Sequence, residues 1–207
     1  LPPLFLDWFK GQGWQPHPHQ LALLAAKQDT LLIAPTGGGK TLAGFLPSLV
    51  DLHLNPAKGL HTLYVSPLKA LTADVGRNLA RPVEEMGLAI RIGDRTGDTP
   101  ASQRRNQRAD PPEILLTTPE SLALMLSWPE AARMFSGLKR VVLDELHALA
   151  ESKRGDQLML CLARLRSLAP GMTATGLSAT VEDPAALAGF MGAKALLEAD
   201  PGPAPDI

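Results

Sequence analysis

Residues 30–46 read TLLIAPTGGGKTLAGFL, an apolar run, a turn with three glycines in a row, then apolar residues at helical spacing. Consecutive glycines lose more backbone entropy on folding than other residues, and a strand or helix interior has no use for them. The run before them, 30–34, is apolar on successive residues, as in a strand buried on both faces. After them Leu42, Phe45, Leu46 and Leu49 fall on one helical face. A glycine turn between a buried strand and a helix lets successive backbone N–H groups converge on one point, where the helix N-terminus adds its partial positive charge. That arrangement cradles a phosphate. Gly39, Lys40 and Thr41 match the pattern G-x-x-x-x-G-K-[ST], with Ala34 where the first Gly would stand. Thr36, Gly37, Gly38 and Gly39 would then supply the loop, Lys40 would reach the β- and γ-phosphates of a nucleotide, and the Thr41 hydroxyl would ligate Mg²⁺. A plain glycine turn with a solvated lysine is the alternative, and the flanking strand and helix speak against it.

Working outward, short apolar runs alternate with helix-length amphipathic stretches. Strands are predicted at 30–34, 60–66, 88–92, 113–118, 140–145 and 172–180, and a second helical face at Leu158, Cys161, Leu162 and Leu165. The alternation predicts an α/β fold, a mostly parallel sheet with helices on both faces and right-handed crossovers. Pro47 falls inside the first long helix and predicts a kink. With 207 residues and 45% hydrophobic content the chain suits a globular domain. The single Cys161 excludes an internal disulfide and a multi-cysteine zinc site from this chain alone. No apolar run has the length of a bilayer span, and the first residues lack the pattern of a signal peptide, so the expectation is cytoplasmic, with no membrane partner. A net charge of −1 means that any nucleic-acid surface must be locally arranged. The chain starts without Met, which hints at a fragment. Residues 1–199 are expected to form the domain and the Pro-rich 200–207 a linker out of it.

A phosphate cradle of this kind calls for an acidic element at the end of another buried strand facing the same crevice. VVLDELH, 141–147, supplies it. Asp144 would hold Mg²⁺ directly or through water, and Glu145 would orient the attacking water and act as base. Adjacent acids after a strand also suit a plain helix start.

The Asp-Glu-x-His form resembles the second motif of superfamily 2 helicases, the DExH group, and further stretches resemble that family in order: GWQPHPHQ at 13–20 the Q motif, SPLKAL at 66–71 motif Ia, TTPESL at 117–122 motif Ib and SAT at 178–180 motif III. RTGDTP at 95–100 and the spacing from TTPESL to DELHAL resemble most closely the large helicase-related (Lhr) branch, including its bacterial ligase-associated DNA-repair helicases. The resemblance implies a RecA-like P-loop domain, the first of two in a motor. It implies that Gln20 reads adenine, whose adjacent donor and acceptor an amide can answer, and that His147 links the nucleotide site to Ser178 and Thr180. Nucleic acid, as single-stranded DNA or a 3′-tailed duplex, would be held through its backbone by Ser66, Lys69, Thr117 and Thr118 at strand ends or first helical turns, and by Gly97 and Asp98. Thr99 and Pro100 look like the cap and first position of a helix carrying Arg104, Arg105 and Arg108, a face for nucleic acid or plain solvated surface. Trp8, Trp14 and Trp128 read as packing rather than stacking platforms. Motifs IV to VI and the arginine finger would lie in a second RecA-like domain, without which the chain would hydrolyse ATP poorly. Repair proteins such as a ligase or nuclease are implied partners. An RNA-directed helicase, a small-molecule P-loop kinase and a non-enzymatic nucleotide switch are the alternatives.

Overall fold

The computed structural model describes residues 1–67 and 69–199, residues 69–74 by their backbone alone. Lys69, expected to touch nucleic acid, and the expected linker 200–207 therefore lie outside the described side chains and residues. Helices α1 (Pro3–Gly11) and α2 (Pro18–Ala25) lead into β1 (Thr30–Ile33) and α3 (Lys40–Leu54); β2 (Thr62–Val65), α4 (Lys69–Glu85), β3 (Ile92–Arg95), α5 (Ala101–Ala109), β4 (Ile114–Thr117), α6 (Pro119–Leu126) and α7 (Ala131–Phe135) follow. The remainder is β5 (Arg140–Leu143), a single 3-10 turn at Leu146–Ala148, α8 (Lys153–Leu168), β6 (Thr173–Ser178), α9 (Pro184–Met191) and β7 (Ala195–Glu198).

The seven strands form one sheet in the order β3-β4-β2-β5-β6-β1-β7, every neighbouring pair parallel. Side chains alternate across a strand, so the continuous apolar runs feed two cores. Leu31, Ile33, Leu63, Val65, Leu115, Val141 and Leu143 pack with residues of α6, α7, α8 and α9. Leu32, Tyr64, Ile114, Leu116, Val142 and Leu177 pack on the opposite face with α1, α2, α3 and α4. Because all strands run the same way, their C-terminal ends share one edge, and every motif quoted above that follows a strand opens there.

Two expectations need correction. The third strand is Ile92–Arg95, not 88–92: Leu88 instead closes the end of α4, its N–H donating to Val83 O behind Gly87 (φ 62°), and sheet pairing begins only at Ile92 opposite Ile114. The expected strands also omitted one: Ala195–Glu198 forms the edge strand β7, paired to β1. Helix α3 continues through the buried Pro47 to Leu54.

Candidate functional site

The cradle begins where β1 ends. Gly37 (φ 81°) and Gly39 (φ 70°) take the left-handed backbone that a side chain disfavours, and Gly39 caps α3. Lys40 Nζ folds back across the loop and donates to Ala34 O at 2.8 Å and Pro35 O at 3.0 Å. Gln20, 2% exposed, anchors the loop from α2: its Oε1 accepts the His17 N–H at 2.9 Å and its Nε2 donates to Gly39 O at 3.3 Å. Both ends of the amide expected to read adenine thus already hold backbone, one of them the glycine loop. Beside it the rings of His17 and His19 stack at 5.1 Å. A cavity of about 620 Å³ opens over the loop, lined by Trp14, His17, Gln20, Thr36, Lys40 and Glu145 among others, a size that suits a small ligand.

Asp144, directly after β5, is 5% exposed and accepts a hydrogen bond from the Tyr64 hydroxyl of β2. Burial raises its pKa, with Glu145 adding to the rise, against opposing effects from Tyr64 and Lys40. Burial also raises the Tyr64 phenol, and Asp144 and Glu145 act in the same direction while the adjoining Thr41 opposes them. Thr41, Tyr64, Asp144 and Lys40 therefore converge, offering hard oxygen donors of the kind Mg²⁺ prefers, one carboxylate and one hydroxyl, with room for ligand phosphates. Tyr64 is the chain's only tyrosine. A phenol in a continuous apolar strand demands a partner, and that signal could have singled it out.

Glu145 has φ 48°, the only positive value outside glycine among the described residues, a backbone that costs a bulky side chain on the order of 1 kcal/mol. The turn aims its carboxylate into the large cavity and toward His147, whose Nε2 lies 3.2 Å from Glu145 Oε2. The other ring nitrogen, Nδ1, stands 3.0 Å from Ser178 Oγ at the end of β6. The Ser178 hydroxyl also lies 2.8 Å from Ala179 O, so its one proton serves either that carbonyl or the ring. Of the expected coupling residues, His147 and Ser178 are joined, while Thr180 is exposed and makes no side-chain hydrogen bond among the described residues.

The expected nucleic-acid residues lie along the β2-β4-β3 half of the same edge. Ser66 is fully buried and its hydroxyl has no partner among the described residues. Thr117 Oγ1 donates to Arg95 O at 2.6 Å, tying β4 to β3, and Thr118 caps α6 by accepting the Ser121 N–H. Those hydroxyls are spent within the fold, and so are the first N–H groups of α6: Pro119 has none, Ser121 donates to Thr118 Oγ1 and Leu122 to Thr118 O. Gly97 and Asp98 are exposed in a turn that Arg104 pins by donating to Gly97 O at 2.5 Å and Thr99 O at 2.6 Å. Thr99 is not the helix cap: Pro100 holds that position, and the Thr99 hydroxyl turns back to accept the Thr96 N–H and to donate to Asp94. Sequence reasoning also missed Arg154, which joins two motif loops by donating to Pro67 O at 2.7 Å and Glu120 Oε1 at 2.6 Å. A cation in a helix's first turn opposes the helix dipole, which was its one signal.

The sequence model of the DEAD/DEAH box helicase family matches residues 17–187, most of the chain. The chain belongs to the DEAD/DEAH box helicase family. Within that family it is 44% identical over 207 residues to the Lhr helicase/probable uracil glycosylase of Mycolicibacterium smegmatis and 41% identical over 213 residues to the Lhr helicase/uracil glycosylase of Escherichia coli, covering 91% and 92% of this chain. The solved structure of Mycobacterium smegmatis Lhr bound to ssDNA and AMP-PNP superposes with a TM-score of 0.84 at 42% identity over 95% of this chain. This helicase domain spans 14% of the length of those two relatives and 27% of that solved chain. Its sheet is therefore that of a RecA-like helicase domain. No helix among the described residues is long and apolar enough to cross a membrane.

Proposed function

We propose that this chain is the ATP-binding motor domain of a cytoplasmic, ATP-dependent DNA helicase or translocase of the Lhr kind, acting in DNA repair, with residues 1–199 as the first RecA-like domain and a second completing the machine. The observation that carries this reading is the bridge from Glu145 through His147 to Ser178, because it joins the candidate base to the loop after β6, at the crevice a second domain would close on. The loop N–H groups and Lys40 bind the phosphates of ATP; Thr41 and Asp144 would hold Mg²⁺, which neutralises developing phosphate charge when bound. Tyr64 fixes the Asp144 carboxylate by its hydrogen bond. Glu145 orients the attacking water and accepts its proton, while His147 keeps that carboxylate aimed. Gln20 reports purine occupancy to the loop through Gly39.

On the other half of the edge, the exposed Gly97–Asp98 turn and the first turn of α6 after Thr117 and Thr118 line the path of a single strand held by its backbone, with Ser66 buried behind them. Such contacts read no bases, as a translocating motor requires. The relative of known structure, bound to ssDNA and AMP-PNP, supports both ligands.

In the polypeptide that carries both domains, Glu145→Gln is expected to keep analogue binding while lowering strand-stimulated phosphate release about 10²- to 10⁴-fold. Steady-state ATPase assays with single-stranded DNA and RNA measure this and the preferred strand together. A rate within a few-fold of wild type would remove Glu145 from the mechanism.

A further inference from the structure

Arg95 ends the edge strand β3 at 7% exposure, and no carboxylate pairs with it among the described residues. Its guanidinium donates to Arg104 O at 3.0 Å and Gln107 Oε1 at 3.3 Å, both neutral acceptors. Burial, then the charges of Arg104 and Arg108, hold its pKa below the usual arginine value. A buried charge without an opposite charge is costly. This one lines a cavity of about 320 Å³ with Arg104, Arg105 and Arg108 of α5, together with Ser121 and Trp128, and no acidic residue lines it.

The neighbouring geometry keeps these cations together. The Arg95 and Arg108 guanidinium carbons lie 4.7 and 4.5 Å from the centroid of the Trp128 indole, whose π-face offsets part of their repulsion. Glu130 pairs with Arg108 Nη2 at 2.9 Å, but Arg108 Nε is buried without a partner among the described residues. Arg105 is exposed and makes no ion pair among the described residues. Four guanidiniums around a small cavity, one buried and one with an orphaned donor, complement a tetrahedral oxyanion.

We infer that this cavity is a phosphate site, and that its occupant is a phosphodiester of the bound strand. Gly97 forms part of its wall and Ser121 lies in the first turn of α6, so it adjoins the strand path described above, on whose assignment the inference rests. The site would extend that path past the loop and helix terminus to the outer edge of the sheet. Inorganic phosphate offers the same chemistry and is the competing source.

The test uses the 207-residue chain at low ionic strength, with fluorescein-labelled oligo-dT read by anisotropy across a salt series. Arg105→Gln and Arg108→Gln are each expected to weaken binding about tenfold and to reduce the slope of log K against log salt by about 0.7, the value of one phosphate contact on a single strand. Arg105→Lys, which keeps the charge, should retain most of the slope, and ATP-analogue affinity should report an intact fold in each variant. Unchanged slopes in both glutamine variants would overturn the phosphate site and leave the strand path standing. No strand binding by wild type would overturn both. A third arm titrates inorganic phosphate against Trp128 emission in a Trp8→Phe, Trp14→Phe background. Quenching by phosphate alone, with strand slopes unchanged, would make the cavity a free-anion site and overturn the phosphodiester assignment.

Discussion

Tyr64 carries more of the nucleotide site than its place in a buried strand suggests. Its ring stacks on Phe45 at 4.8 Å, its hydroxyl donates to Asp144, and Thr41 stands beside it, so one side chain sets the position of both candidate metal-binding oxygens. Tyr64→Phe keeps the ring and removes the donor, leaving a buried carboxylate short of a partner. Thermal unfolding is expected to show a loss of about 1–3 kcal/mol, and calorimetry a weaker Mg²⁺-dependent affinity for an ATP analogue. A variant matching wild type in both would leave Asp144 positioned by other groups. Lys40, Asp144 and Glu145 were legible in the sequence because their chemistry forces a local spacing. Tyr64 and Arg154 were not, since their bonds join residues 80 and 87 positions apart, where no local pattern exists. Thr117 and Thr118 were legible as a motif, but only the structure assigns their hydroxyls to β3 and the α6 cap.

At the scale of elements, the glycine loop is held between α2 and α3. Gly39 has a left-handed backbone, and a Cβ there would lie 2.8 Å from the Gln20 amide nitrogen, itself hydrogen-bonded to Gly39 O. Gly39→Ala is therefore expected to cost about 1–2 kcal/mol from backbone strain, and more than tenfold in nucleotide affinity as Gln20 and the loop move apart. Equal Tm and equal affinity would mean that the loop tolerates a second conformation. Most elements could be read from periodicity, because strands buried on both faces leave continuous apolar runs. The third strand was misplaced because Leu88 and Ile90 pack against the core, although the Leu88 N–H closes α4 and the Ile90 N–H turns back to Leu88 O rather than to a neighbouring strand. Strand β7 escaped because Ala195–Glu198 is a four-residue run, alternately half-buried and exposed, beside a Pro-rich tail.

Across the whole molecule, one parallel sheet places the candidate nucleotide residues over β1, β5 and β6 and the proposed strand contacts over β2, β4 and β3, so the two regions meet at β2 and β5. At the opposite edge, where β2 and β5 begin, a buried histidine gives the fold an expected acid limit. His61, just before β2, is buried with Nδ1 at 2.8 Å from Thr62 Oγ1 and Nε2 at 3.1 Å from Asp51 of α3. Burial lowers its pKa below the ordinary 6.5 despite the opposing pull of Asp51. A base whose folded value is depressed contributes stability that is present above its unfolded pKa and lost as pH falls through the folded one. Tm is thus expected to fall as pH drops below 6.5, and less steeply in His61→Gln; parallel curves would assign the acid limb to other groups. The central claim, that the edge at β1 binds ATP through the glycine loop, is tested most directly by calorimetric titration of the 207-residue chain with a non-hydrolysable ATP analogue and Mg²⁺, wild type against Lys40→Ala. Saturable one-to-one binding by wild type, weakened at least tenfold in a variant of unchanged Tm, is the predicted result; equal affinities, or no binding by the folded wild type, would contradict it.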